Sequence, residues 1–119
     1  MSQQFVFWRT EASLDSADVY ERLMQGDDVD GLEPIDPDAA EAALVAAFPD
    51  WAVEVRRADV PEQTMLGFED TMGIDVGYRA QCVTVTCYGM GESEWNVVIS
   101  TMADLGYPLY DPQISYRFN

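Results

Sequence analysis

The stretch from Ala80 to Tyr88 is the feature that most limits how this chain can fold. Its residues alternate between two kinds, which is typical of a β-strand that buries one face. One set is apolar and consists of Val83, Val85 and Cys87, and the other set consists of Cys82, Thr84, Thr86 and Tyr88. A strand is not stable alone, so other segments must pair with it and cover it.

Several other segments have the composition of strands, being rich in β-branched and aromatic residues or bounded by turn residues. The candidates are 5–8, 52–57, 64–68, a hairpin within 69–79 and a strand within 107–118. The last segment contains two prolines, so we expect any strand there to be broken or to lie at an edge.

Three helices are predicted from capping residues and apolar periodicity. Asp15 is a good N-cap for a first helix that ends before Gly26. Asp36 and the proline after it open a second helix, which ends at Pro49. Apolar residues recur at helical spacing over about 93–105 and predict the third. Residues 26–38, between the first two helices, are rich in turn residues and are predicted to be a loop.

These elements predict one α+β domain over residues 1–119. Its hydrophobic content of 48% is sufficient for a packed core. We expect a two-layer arrangement, with a mostly antiparallel sheet of four to five strands and about three helices packed on one face of it.

The two cysteines are predicted to be free thiols. Cys82 and Cys87 are an odd number of positions apart in one strand, so their side chains should point to opposite faces, roughly 16 Å apart along the strand. A disulfide requires Cα atoms within about 7 Å of each other. We expect one thiol in the core and the other on the second face of the sheet.

The charge of the chain excludes several classes of function. It has 22 Asp and Glu residues against 6 Arg, no Lys and no His, for a formal net charge of -16. Direct nucleic-acid binding and electrostatic docking on anionic lipid both need a basic patch, so neither is expected. The absence of histidine excludes Ser-His and Cys-His catalytic pairs and removes the commonest metal ligand.

Much of the acid excess lies in one segment. Residues 11–41, hereafter the acidic segment, carry a local net charge of -10. Such a surface would attract a cationic protein and raise the encounter rate. The alternative is a solvated surface that only keeps the protein soluble. The candidate contacts to a partner are Asp27, Asp28, Asp30, Glu33, Asp36 and Asp38, with Tyr20 or Tyr110 as apolar anchors.

The sequence indicates no metal site, cofactor or catalytic residue. An EF-hand loop with Gly31 at its sixth position would have Gly26 at the first position and Pro37 at the twelfth, and neither provides a carboxylate. The cysteines would need an activating base, and arginine supplies charge rather than proton transfer. A phosphate site at Gly89-Met90-Gly91 is disfavoured by the acidic residues that follow it.

Two roles can be predicted for the segment from Gly106 to Gln113, one as a protein interface and one in closing the fold. Tyrosine combines apolar area with a polar tip, which favours protein interfaces. The alternative, which we favour, is that this segment closes the fold by packing on the sheet.

Several motifs resemble those of small acidic bacterial proteins regarded as immunity proteins of contact-dependent or polymorphic toxin systems. They are Phe7-Trp8, Val19-Tyr20-Glu21-Arg22-Leu23, Phe48-Pro49-x-Trp51, Cys87-Tyr88-Gly89, Asn96 and Pro108-Leu109-Tyr110-Asp111-Pro112-Gln113. The resemblance covers most of the chain and implies an inhibitor of a toxin. Its motifs are architectural, so it implies no set of functional residues.

We therefore expect a non-enzymatic, cytoplasmic protein that blocks a cationic protein partner by occlusion, as an immunity protein blocks its toxin. One alternative is a nucleic-acid mimic from a phage or mobile element that inhibits a host defence or DNA-binding protein. Another is a salt-adapted cytoplasmic protein whose charge is not a docking surface.

Overall fold

The computed structural model describes residues 2–57 and 61–118, which contain three helices and nine strands. The helices are α1 (Ser16–Met24), α2 (Pro37–Ala47) and α3 (Glu92–Asp104). The strands are β1 (Ser2–Phe7), β2 (Arg9–Thr10), β3 (Leu32–Glu33), β4 (Ala52–Arg57), β5 (Pro61–Phe68), β6 (Met72–Tyr78), β7 (Val83–Tyr88), β8 (Leu109–Asp111) and β9 (Tyr116–Arg117). The predicted α+β class is confirmed.

The main sheet is larger than predicted. Across the described ranges it has seven strands in the order β4-β5-β6-β7-β1-β8-β9, with every neighbouring pair antiparallel. The expectation of four to five strands was wrong because the 69–79 segment contributes a full strand, β6, and the closing segment contributes two short ones. The strands β8 and β9 end the sheet, as expected of a segment with two prolines.

The strand predicted over residues 80–88 is shorter, since it begins at Val83, and it forms the middle of this sheet as β7. In β7 the side chains of Val83, Val85 and Cys87 are buried, while those of Thr84 and Thr86 are half-exposed. Cys87 lies in the core beneath α2 and α3, and Cys82, just before the strand, lies in a second buried cluster. The expected placement of two free thiols on opposite faces is confirmed.

The helices cover both faces of the sheet, not one. The first apolar cluster contains Phe5 and Phe7 of β1 together with Leu44 of α2 and further residues of α3. The second contains Val6 and Trp8, which point the opposite way, together with residues of α1. The predicted two-layer arrangement is therefore wrong at this end of the sheet, where α1 adds a third layer.

The predicted N-caps of the first two helices are confirmed by their hydrogen bonds. The Asp15 carboxylate accepts hydrogen bonds from the backbone of Ala17 at 3.1 Å and of Asp18 at 3.4 Å. The Asp36 carboxylate accepts one from the backbone of Ala39 at 3.2 Å.

Within the part of the chain that the structure describes, no helix is long and apolar enough to cross a membrane.

Candidate functional site

Most of the acidic segment, up to β3, folds on the face of the sheet opposite α2 and α3, whereas its last residues, including Ile35 and Ala40, pack into the first apolar cluster. The acidic segment comprises α1, β3, the connections around them and the first turn of α2. Apolar residues on its inner side are buried against β1, β8 and Cys82; they are Val19, Leu23, Val29 and Leu32. The acidic residues lie between these positions and face the solvent. The acidic segment is therefore held in place by buried apolar side chains beneath it.

Residues 27–30, hereafter the acidic loop, are held by a distant side chain. The backbone N–H of Val29 donates to Oε1 of Gln81 at 2.8 Å, and Nε2 of Gln81 donates to the carbonyl of Val29 at 2.9 Å. Nη1 of Arg79 donates to the carbonyl of Leu23 at 2.7 Å, at the end of α1. These contacts hold the backbone at Val29 and at the end of α1, which reduces the backbone ordering that binding of a partner requires.

The predicted contact residues divide into two groups. Asp27, Asp28, Asp30 and Asp38 are exposed, and none of them forms a salt bridge within residues 2–57 and 61–118. Glu33 and Asp36 have structural partners. Glu33 lies in β3, not in the loop predicted for 26–38, and its Oε2 is 3.1 Å from Nε of Arg9. Asp36 caps α2.

The arginines near the acidic segment do little to neutralise it. Arg9 pairs with Glu33, and Nε of Arg22 lies 3.4 Å from Oδ2 of Asp18. Both pairs are solvent-exposed, where such pairs contribute about 0–1 kcal/mol. The local charge of -10 already counts Arg22, and adding Arg9 and Arg79, which lies beside Asp27 and Asp28, brings it only to -8, so a strong negative field remains over this surface.

The two predicted anchor tyrosines contact each other, but only Tyr20 is accessible. Tyr20 is half-buried on α1, and its ring stacks on that of Tyr110 with centroids 5.2 Å apart. Tyr110 is 1% exposed, because its ring is packed between Tyr20 and Trp8. The expectation of Tyr110 as an exposed anchor is therefore corrected. The alternative, that this segment closes the fold on the sheet, is confirmed.

A groove of about 420 Å³ runs between α1 and the turn over residues 112–115. We call it the aromatic groove. Its lining consists of Ala17, Tyr20, Glu21, Met24, Gln25, Tyr110, Pro112 and Ser115. Tyr20 and Tyr110, the two predicted anchors, both line it. The groove itself was not predicted, because it forms between segments that are about 90 positions apart.

A second groove of about 270 Å³ lies on the sheet itself. Its walls come from β4 to β7 and carry both signs of charge, with Arg56 at one side and Asp75 at the other. Nε2 of Gln63 donates to Oδ1 of Asp75 at 2.7 Å within it. This mixed surface has no charge preference comparable to that of the acidic segment.

The cysteine thiols are unsuited to nucleophilic chemistry. Burial raises the pKa of Cys82 to about 11, with Arg79 opposing the shift, and raises the pKa of Cys87 to about 12. Both remain protonated near neutral pH, and a thiol is not the reactive form. Among the residues that the structure describes, no three acidic or cysteine side chains are grouped to hold a metal ion.

Comparison with protein-family models gives no match to this chain, and comparison with curated proteins gives none either. The function is therefore argued from the surface itself.

Proposed function

We propose that this chain is a non-enzymatic binding protein that inhibits a cationic protein partner by occlusion. In the version we favour, the partner is a bacterial toxin and the chain is its immunity protein. The observation that carries the proposal is the acidic loop, whose exposed carboxylates flank a backbone fixed by Gln81.

The arrangement supports docking better than simple solubility for a physical reason. Solubility requires only that charge be exposed, and it places no demand on the backbone that carries the charge. Here the loop is anchored through the buried side chain of Val29, while Asp28 and Asp30 on either side of it are exposed. Arg79 lies beside Asp27 and Asp28, but the acidic residues outnumber it, and a preorganised patch of net negative charge steers association and reduces the entropy lost on binding.

The experiment first identifies a partner and then measures the rate at which the partner associates with this chain. A tagged copy of the chain is used to retrieve partners from source cells at low salt. The purified pair is then measured from about 0.01 M to about 1 M salt, over which the Debye length falls from about 30 Å to about 3 Å. We expect the association rate to fall at least about tenfold.

A matched pair of variants separates this patch from net charge. One variant combines Asp27→Asn, Asp28→Asn and Asp30→Asn. The control combines Glu69→Gln, Asp70→Asn and Glu92→Gln, three exposed acids at the far end of the sheet. Both reach a net charge of -13. We expect only the first to slow association, by about tenfold at low salt.

Two results would contradict the proposal. Association that is independent of salt would exclude electrostatic docking, and equal slowing by both variants would exclude this patch. The toxin version has its own test. Expression of the partner alone should stop growth of a host cell, and co-expression of this chain should restore it.

A further inference from the structure

The aromatic groove offers an apolar site next to the acidic loop. Tyr20 and Met24 line it from α1, Pro112 lines it from the facing turn, and the edge of Tyr110 contributes to it. Apolar walls favour a ligand that brings apolar surface of its own, since water in such a groove is displaced with a gain in free energy.

The aromatic rings at this groove continue into a row of stacked side chains that ends at an arginine. Tyr20 stacks on Tyr110, and the Tyr110 ring lies 5.2 Å from the ring of Trp8. On Trp8 the guanidinium carbon of Arg117 lies 4.6 Å from the ring centroid. This is within the range of cation–π attraction. Tyr20, at the other end of this row, lines the groove.

The charge at the groove is negative. Glu21 lines it and is exposed, and none of the lining residues that the structure describes is basic. The acidic loop begins three residues after α1 ends, so its field extends over the groove. An apolar ligand that also carries a positive charge fits both properties.

We propose that the aromatic groove receives an arginine side chain of the cationic partner. The guanidinium stacks on the ring of Tyr20 within reach of the Glu21 carboxylate, and the methylene stem packs against Met24 and Pro112. The inference rests on the proposed function, because it assigns the arginine to that partner.

Arginine fits this site better than lysine for a geometric reason. Its guanidinium is planar and weakly hydrated, so it stacks on an aromatic face while donating hydrogen bonds in its own plane. A lysine ammonium is a strongly hydrated point charge, and it would lose more hydration in an apolar groove.

The test uses N-acetyl-L-arginine amide as the probe and N-acetyl-L-citrulline amide as its uncharged counterpart. Each is titrated into the full chain labelled with ¹⁵N, and the backbone amide signals are followed. We expect arginine amide to cause saturable shifts at residues 17–25 and 113–115. Citrulline amide should bind there at least about twofold more weakly, because the cation–π and ion-pair contributions are lost.

Variants assign the binding to the two side chains. Glu21→Gln should weaken arginine amide binding by about two- to fivefold. Glu69→Gln makes the same substitution at the far end of the sheet and should leave binding nearly unchanged. Tyr20→Ala should also weaken it by about two- to fivefold, and Tyr20→Phe should retain it. Glu21 is exposed, so its variant tests the site even if loss of the Tyr20 ring unfolds the chain.

Equal binding of citrulline amide, or equal effects of Glu21→Gln and Glu69→Gln, would overturn the inference. Shifts confined to the acidic loop would overturn it as well. None of these results alters the salt dependence of the partner's association, which tests the proposed function. Conversely, a salt-independent association with arginine still bound in the groove would refute the proposed function alone.

Discussion

The ring of Tyr20 lies against the ring of Tyr110 at 5.2 Å between centroids, with an angle of 29° between their planes. One ring belongs to the acidic helix α1, and the other belongs to β8 in the main sheet. The pair therefore joins the acidic segment to the C-terminal segment. It also places a half-exposed aromatic ring on a buried one, since Tyr110 is 1% exposed.

Tyr20→Ala should destabilise the fold by about 2 kcal/mol, since it removes an aromatic pair and its buried area. Tyr20→Phe should change the free energy of unfolding by less than about 0.5 kcal/mol. The reason is that the Tyr20 hydroxyl makes only a long contact, 3.4 Å to Oε1 of Gln4. Urea denaturation followed by circular dichroism measures both. Equal losses for the two variants would show that the hydroxyl, not the ring, matters.

Asp36→Ala should cost about 1 kcal/mol, because it removes the N-cap of α2. Asp36→Asn removes the same charge but keeps an oxygen that can accept from the backbone of Ala39, so it should be nearly neutral. The difference between their urea midpoints isolates capping from relief of charge repulsion. Equal stability of the two variants would contradict a capping role for Asp36.

The helices and the face of β7 could be predicted because their signals are local. Caps at Asp15 and Asp36 act within three residues, and the alternation from Val83 to Cys87 is read directly from the chain. The packing of α1 on the second face of the sheet could not be predicted in this way. Residues 5–8 are apolar at every position, so their alternation gives no sign of which side is buried or whether both are.

The candidate site was predictable in part for the same reason. The charge of the acidic segment is a property of composition, and it identified the exposed Asp27, Asp28 and Asp30. The support of the acidic loop depends on Gln81, which is 52 positions from Val29 and has no local signal. The groove beside Tyr20 likewise exists only once β8 is paired with β1.

Gly89→Ala should destabilise the protein by more than about 3 kcal/mol, through backbone strain and overpacking together. Gly89 has φ +69, and a Cβ there would overlap the carbonyl oxygen of Thr71. Gly26 is the matched control, since it has φ +87 but nothing within 4 Å of the added carbon. Gly26→Ala should cost only the strain, about 1–2 kcal/mol. Thermal unfolding of both variants compares them, and equal losses would rule out the clash.

Stability should fall as pH rises above 9, because both thiols are buried. Burial raises the pKa of Cys82 to about 11 and that of Cys87 to about 12, from an ordinary value of 9.0. Between these values the unfolded chain loses thiol protons that the folded chain retains. The free energy of unfolding therefore decreases with pH, by up to about 1.4 kcal/mol per pH unit for each thiol. Below pH 9 the folded and unfolded chains both keep the thiol protons, so the thiols cause no loss of stability there.

The double variant Cys82→Ala, Cys87→Ala tests the origin of this slope. All other ionisable groups are the same in both proteins, so the comparison isolates the two thiols. Urea denaturation by circular dichroism at a series of pH values should give a shallower alkaline slope for the variant than for the original chain. Its stability at neutral pH also changes, but the slope does not depend on that offset. Parallel slopes would show that the alkaline loss of stability comes from groups other than the two thiols.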